Sequence, residues 1–501
     1  MKRENGKECR KKRRLTLTGV IAALLAVAVL GGCAGPAVGT PDATGTQAIA
    51  APTDLTEATE AQPTEPIPTL EPQVIDAHTL AMAQYPEMAQ YPYMEGSGND
   101  PYSFGNDDLT AWYDALGERW QYRDKYDALE LSGFLKATLP QFLGGAEGEN
   151  RVYSPVNIYM ALALLAETAD GEGRTQILDL MGVSNMDELR TRVNAIWNAN
   201  YRDDGMAKSL FANSLWLNEN VRFRQDTLKL LAEQYFASSY YGEMGTEEMD
   251  ALLHDWMNKQ TDGLLKEQIN GIGLDADTVA ALVSTLYFSA KWDAQFAESN
   301  TEESVFHATD GDEPCRMMRQ SVTDGYYWAD QFTAVGQSFE SGGRMWLLLP
   351  DEGVTPEDLL DDPQTLSFLL SKGGWESVKY LTVNKQIPKF DIDAQFDATE
   401  ILQALGVTDV FDPVKADFSP LAEEPDGIFV SDVIHGARVL IDEDGCKAAA
   451  YTIIMTEATA AEPPAEEVDF ILDRPFLFAI TGADGLPLFI GIVNHPNRII
   501  E

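Results

Sequence analysis

From residue 279 onward the chain reads VAALVSTLYFSAKW, an apolar run in which bulky side chains fall on both alternate sets of positions. A strand of this kind must be covered on both faces, because neither face offers the polar groups that water would solvate. The cover is supplied upstream. Residues 127–145, 156–182, 228–240 and 246–260 carry apolar side chains at helical spacing, with Pro140 interrupting the first segment and Gly171 and Gly173 breaking the second. Further strand candidates follow: WLLLP at 346–350, VKYLTVNKQIPKFDI at 378–392, GIFVSDVIHGARVLID at 427–442, FLFAITG at 476–482 and PLFIGIVN at 487–494. Helices in the first half and strands in the second predict a mixed α+β fold with segregated layers.

The N-terminus has a different character. MKRENGKECRKKRR precedes LTLTGVIAALLAVAVLGGC, whose apolar run of about fifteen residues has the pattern of an export signal and is short for a membrane span, with Gly-Gly-Cys following closely. Leu30-Gly31-Gly32-Cys33 resembles the bacterial lipobox, in which the cysteine is lipidated and becomes the new N-terminus. Residues 1–32 are therefore read as a lipoprotein signal peptide, Cys33 as the lipidation site, and the mature chain as extracellular and anchored to the cell membrane through its lipid. An uncleaved signal anchor is the alternative, and it also exports the chain. Residues 34–75 are Ala, Thr, Pro and Glu with few large apolar groups, too little to build a core. Met82-Ala83-Gln84-Tyr85-Pro86 is echoed by Met88-Ala89-Gln90-Tyr91-Pro92, either as linker or as a strap lying on the domain. Residues 33–106 are thus a low-complexity tether, and 107–501 one large domain with no second linker.

Four cysteines occur, but Cys9 lies in the signal and Cys33 is the lipid site, which leaves Cys315 and Cys446. No disulfide framework can hold this exported domain, so a core must. Removing residues 1–32 leaves 28 basic against 78 acidic side chains, a mature charge of −50. Such a charge excludes nucleic acid as a partner, keeps the protein soluble and monomeric, and draws cationic partners. The five histidines (His78, His254, His307, His435 and His495) show no metal-ligand spacing, and no Gly-x-Ser-x-Gly elbow occurs. No metal, no cofactor and no catalytic site is expected.

The order of motifs across residues 125–497 resembles that of the serpins, serine protease inhibitors that trap their target by inserting a cleaved loop into their own sheet. The resemblance is carried by Asn150-Arg151-Val152-Tyr153-Ser154-Pro155, by Ala169-Asp170-Gly171 through Gln176-Ile177, and by Trp256, Thr261 and Gly263. Leu286-Tyr287-Phe288, Trp292, Phe296, Thr301, Phe306, Met317, Met318, Leu349-Pro350 and Pro388-Lys389-Phe390 continue it. Arg474-Pro475-Phe476 and Leu488-Phe489-Ile490-Gly491 close it. Each motif is weak alone, and Gly173 stands where the family prefers Thr. The resemblance implies three β-sheets, about eight or nine helices, an exposed reactive-centre loop, and no enzymatic activity.

Within that frame IDEDGCKAAAYT at 441–452 resembles the hinge of the reactive loop, comprising Glu443, Gly445, Cys446, Ala448, Ala449, Ala450 and Thr452. Physical reasoning agrees, because a loop entering a sheet as a central strand must bury every second side chain. One alternate set is Cys446, Ala448, Ala450 and Thr452, all small; the other holds Lys447, Ala449, Tyr451 and Ile453. Without the surrounding motifs the same stretch would read as a piece of helix or linker. A noninhibitory serpin, acting as a binding or structural surface protein, is the alternative function.

The resemblance further assigns Trp292 to the breach, where the sheet opens. It assigns Ser154, Asn157, Ser284 and His435 to the polar shutter beneath the sheet, with the family's Ser and Asn exchanged between 157 and 284. The scissile bond falls in the 446–470 loop. Sixteen residues beyond Glu443 stands Thr459, giving Thr459-Ala460, with Ala458-Thr459 and Ala460-Ala461 as neighbours. Every candidate is small and uncharged, which would leave the buried acid of a trypsin-type pocket unpaired. The expected partners are elastase-like or subtilisin-like serine proteases, cationic ones favoured by the charge.

Overall fold

A computed structural model describes residues 78–92, 107–123, 125–145, 148–269, 271–431, 433–446 and 466–497. The apolar run of the 280s forms the strand Ala280–Lys291, buried along nearly its whole length. It lies inside a sheet whose order is Thr79–Ala81, Ala237–Gly242, Ala207–Asn218, Ala280–Lys291, Gly445–Cys446, Ile434–Ile441 and Phe390–Asp397, with Arg202–Asp203 paired to Ala207–Asn218. Beneath it runs the helix Pro155–Thr168, 13 of whose 14 residues are buried. A helix apolar all round can only be a core helix. Its start is fixed by Ser154, whose hydroxyl accepts the Asn157 N–H, and by Pro155 in the first turn.

The second sheet runs Glu467–Ile471, Val378–Pro388, Gly311–Trp328, Phe332–Ser338, Arg344–Pro350, Phe476–Thr481, Pro487–Val493 and Arg151–Tyr153, with Glu302–Ala308 on Gly311–Trp328. Three sheets are implied by the resemblance; hydrogen bonding joins the described strands into two. The 18-residue strand Gly311–Trp328 makes the junction, pairing along its length with Val378–Pro388 and through Tyr326–Trp328 with Phe332–Ser338. Lys385 pins this junction. Its buried ammonium pairs with Asp324 at 2.6 Å and donates to Gly336 O at 2.8 Å and Gln337 Oε1 at 3.0 Å. Among the described residues nine helices have six or more residues, and the fold is mixed α+β.

Three segments depart from the sequence reading. Helical spacing at 228–240 ends early: the helix is Gln225–Gln234, and Ala237–Gly242 is a strand parallel to Asn213–Asn218. Its Ser-Ser-Tyr-Tyr sequence is better suited to a pleated, half-buried surface than to a helix. The stretch 378–392 is two strands in different sheets, divided at Lys389. Residues 427–433 are irregular where described, and the strand begins at Ile434. The echo at 82–92 is a strap: Thr79–Ala81 edges the main sheet, and the chain then crosses helix Met186–Asn200.

Candidate functional site

The hinge and loop candidates Ala448, Ala449, Ala450, Thr452, Thr459 and Ala460 lie outside the described residues, as do Cys33 and the signal. The loop's near footing is described in detail. Asp442 Oδ1 accepts the N–H groups of Asp444 at 2.9 Å and Gly445 at 3.2 Å, and the Asp442 N–H donates to Gly445 O at 3.1 Å. This side-chain-closed turn delivers Gly445–Cys446 into the sheet. Gly445 pairs with Lys291, and Cys446 with both Ala290 and Ile441. A Cβ on Gly445 would meet Ala290 O at 2.3 Å, so the approach requires glycine. Cys446 is 4% exposed, and burial pushes its thiol up to about 12.

Trp292 fastens the turn from the neighbouring strand. Its backbone N–H donates to Asp444 O and its indole Nε1–H to Asp442 O, both at 3.0 Å. The ring stacks on Phe339 with centroids 4.8 Å apart. Glu443 is tied by the Phe296 N–H to its carbonyl at 3.1 Å and by an ion pair to Lys389. Burial opposes charge on Glu443, yet hydrogen bonds, the foremost from the Lys389 ammonium, together outweigh it and hold the carboxyl below its ordinary value. Lys389, Phe339 and Asp442 were not singled out as site residues by the sequence. Lys389 stands inside the Pro388-Lys389-Phe390 motif, and only its sign, opposite to Glu443, could have linked them.

Among the described residues, Gly445–Cys446 is the only strand paired with both Ala280–Lys291 and Ile434–Ile441. Below that seat a polar cluster holds the flanking strands to the core helix. Ser284 Oγ, from the first strand, donates to Asn157 Oδ1 at 2.8 Å. His435, from the second, accepts the Ser154 N–H at Nε2, at 3.1 Å. One helix N-terminus therefore touches both strands. His435 is fully buried, which depresses its pKa from 6.5 to about 3 and keeps the imidazole neutral. The Asn and Ser at 157 and 284 bond each other, consistent with an exchange of partners that preserves donor and acceptor. No group of side chains suited to a metal ion occurs among the described residues.

Both clusters fall inside the stretch 136–496, which matches the family model "Serpin (serine protease inhibitor)". This chain is a serpin. Serpin-ZX of Arabidopsis thaliana is 29% identical to it over 367 residues, covering 70% of this chain and 93% of the relative. Serpin-Z1C of Triticum aestivum is 28% identical over 365 residues, covering 69% and 90%. Among solved structures the serpin is similar to the thermophilic serpin Tengpin in the native state, with TM-score 0.64, 25% identity and coverage of 74% of this chain and 94% of that one. It is also similar to Arabidopsis AtSerpin1 in its native stressed conformation, with TM-score 0.63, 27% identity and coverage of 75% and 98%. The family is in general one of serine protease inhibitors rather than enzymes.

Proposed function

We propose that this serpin is a suicide-type inhibitor of extracellular serine proteases, held at a bacterial cell surface as a monomer by a lipid on Cys33. The protease serine attacks the carbonyl of Thr459, the bond to Ala460 breaks, the new amine leaves with a proton, and the Thr459 end remains as an acyl ester on the protease. The freed strand then enters the main sheet and carries the protease with it, so that water does not complete the hydrolysis. Insertion is favourable because it completes backbone pairing for Ala280–Lys291 and Ile434–Ile441 and buries apolar surface. The intact chain persists because a barrier separates it from the inserted form.

The observation that carries this reading is the seat of Gly445–Cys446 between those two strands. Continuing the antiparallel register of Gly445 with Lys291 brings Thr456 opposite Ala280, the far end of that strand. The proposed cut at Thr459 would lie three residues beyond it, where an attached protease clears the sheet. The small, uncharged side chains around the bond favour an elastase-like or subtilisin-like pocket, and the negative chain favours a cationic enzyme. Mixing the protein with elastase tests the reading: an inhibitor gives a band of summed mass that survives boiling in detergent. Cleavage with no such band would place the chain among noninhibitory serpins.

A further inference from the structure

We propose that the edge of the main sheet carries a binding site for an extended Tyr-Pro peptide, filled in cis by residues 78–86, and that its occupancy holds the sheet against widening. The second half rests on the inhibitor reading; the first does not. The backbone contacts are those of an added strand. Thr79 pairs with Tyr240 and Ala81 with Ser239, while His78 O accepts the Tyr241 N–H at 2.8 Å. Ala83 N–H then donates to Ser238 Oγ at 3.1 Å and Gln84 N–H to Ala232 O at 3.3 Å. Main-chain bonds to a sheet edge, with a side-chain slot beside them, are how proteins recognise extended peptides.

The slot belongs to Tyr85. Its ring lies near-parallel to Trp197, Tyr201 and Phe236, with centroids 6.0, 5.4 and 6.0 Å away. The shelf beneath is built on purpose: Trp197 and Phe236 stack at 3.6 Å, and Phe236 adopts φ +52, a conformation a bulky side chain rarely takes. The echoed copy docks in the same style one step along. Gln90 Nε2–H donates to Asp203 O at 2.9 Å, Tyr91 N–H donates to Asp204 O at 2.7 Å, and the Tyr91 ring meets Trp112 edge-on at 5.1 Å. Two copies of one pentapeptide thus place their tyrosines against aromatic rings and donate hydrogen bonds to main-chain carbonyls.

Coupling to the sheet follows from where the strap is fastened. Ala237–Gly242, Ala207–Asn218 and Ala280–Lys291 are consecutive strands. They must shift by about 4.8 Å when a new strand enters beside Ala280–Lys291. The strap joins the outermost of them to helix Met186–Asn200, which packs on the core helix Pro155–Thr168. Widening that carries Ala237–Gly242 away from this helix would have to loosen the strap.

The test uses the full chain carrying Gln84→Pro and Tyr85→Ala, and a fluorescein-labelled peptide of residues 78–92. By anisotropy the double variant should bind the peptide, and the wild type, its site filled, about tenfold or more weakly, equivalent to ~1.4 kcal/mol. A peptide with alanine at both tyrosines should bind neither. On warming, the uncut variant should pass to the loop-inserted form about tenfold faster than wild type, and added peptide should slow it. Absence of peptide binding to the variant overturns the site; equal conversion rates overturn the coupling. Binding without any protease trapping by either chain would sink the inhibitor reading while leaving the site in place. Tyr85→Ala alone changes a side chain still 37% exposed, and gives the same comparison should the double variant not fold.

Discussion

Ser284 donates its hydroxyl to Asn157 Oδ1 at 2.8 Å, and through this bond the strand beside the hinge is fastened to the core helix. Ser284 and Asn157 are both buried, so removing either partner leaves a polar group with no water to turn to. Asn157→Ser and Ser284→Asn should each lower stability by ~1–2 kcal/mol. The double exchange should recover part of the loss, since donor and acceptor are then restored in the opposite sense. Thermal melting of the four proteins gives the coupling. Additive losses would mean that the two positions do not act as a pair.

His435 gives the same cluster a pH dependence. In the folded chain its pKa is about 3, against an ordinary 6.5. Between these values the unfolded chain binds a proton that the folded one refuses, so stability falls as pH drops from 6.5 towards 3. The full effect is on the order of 4–5 kcal/mol, present above pH 6.5 and lost by about pH 3. His435→Gln lacks it. Urea midpoints for wild type and variant, measured from pH 7 to 4, should therefore converge or cross as pH falls. Parallel curves would show that His435 is protonated at its ordinary pKa.

At the hinge the decisive contact is steric. Gly445→Ala places a methyl 2.3 Å from Ala290 O, closer than any Cβ tolerates. The seat must shift or open, at about 1–3 kcal/mol. The expected readout is faster hydrogen exchange at Trp292 and Phe296, whose N–H groups bond the carbonyls of Asp444 and Glu443. Unchanged exchange would mean that the turn yields without cost.

How far the sequence went can be judged at particular residues. The strand Ala280–Lys291 was plain, because an unbroken apolar run leaves only a doubly covered strand. The shutter and hinge positions came from motif order, and the structure brings Ser154, Asn157, Ser284 and His435 into one cluster, with Glu443, Gly445, Cys446 and Trp292 in another. Periodicity failed where one pattern crossed a boundary. Lys389 lies between strands of two different sheets, yet β-spacing runs straight through it. Ser238–Tyr240 continues a helical spacing that parallel pairing overrides. Pairings such as Lys389 with Glu443, or Tyr85 with Trp197, join residues distant in sequence and leave no local trace.

Specificity is expected to follow the residue before the cut. Thr459→Arg supplies the cation that a trypsin-type pocket needs and fills a small pocket badly, each worth at least tenfold in rate, or ~1.4 kcal/mol. The variant should form a boil-stable complex with trypsin and lose much of its elastase inhibition. Trypsin cleaving it without being trapped, with elastase inhibition intact, would put the scissile bond elsewhere.

The hinge itself has a phase that the described register fixes. Ser284 points at the core helix, since it bonds Asn157, and residues directly opposite in an antiparallel pair share a face. On the proposed insertion, extending the pairing of Cys446 with Ala290 and with Ile441 would place Thr452 between Ser284 and His435, and Ala450 opposite Leu286. Tyr451 would then fall opposite Thr285, on the other face. A carboxylate at 450 would enter the core unpaired, at several kcal/mol, whereas one at 451 would not. Ala450→Glu should turn the inhibitor into a substrate, cleaved by elastase without a stable complex, while Tyr451→Glu keeps most of its trapping. A hydroxyl at 452 would meet the polar cluster in the inserted strand, so Thr452→Val should slow insertion and Thr452→Ser should not. Mass spectrometry of the cleaved products and the ratio of complex to cleaved chain measure all four. Equal damage at 450 and 451 would show that the inserted strand does not continue the register begun at Gly445 and Cys446.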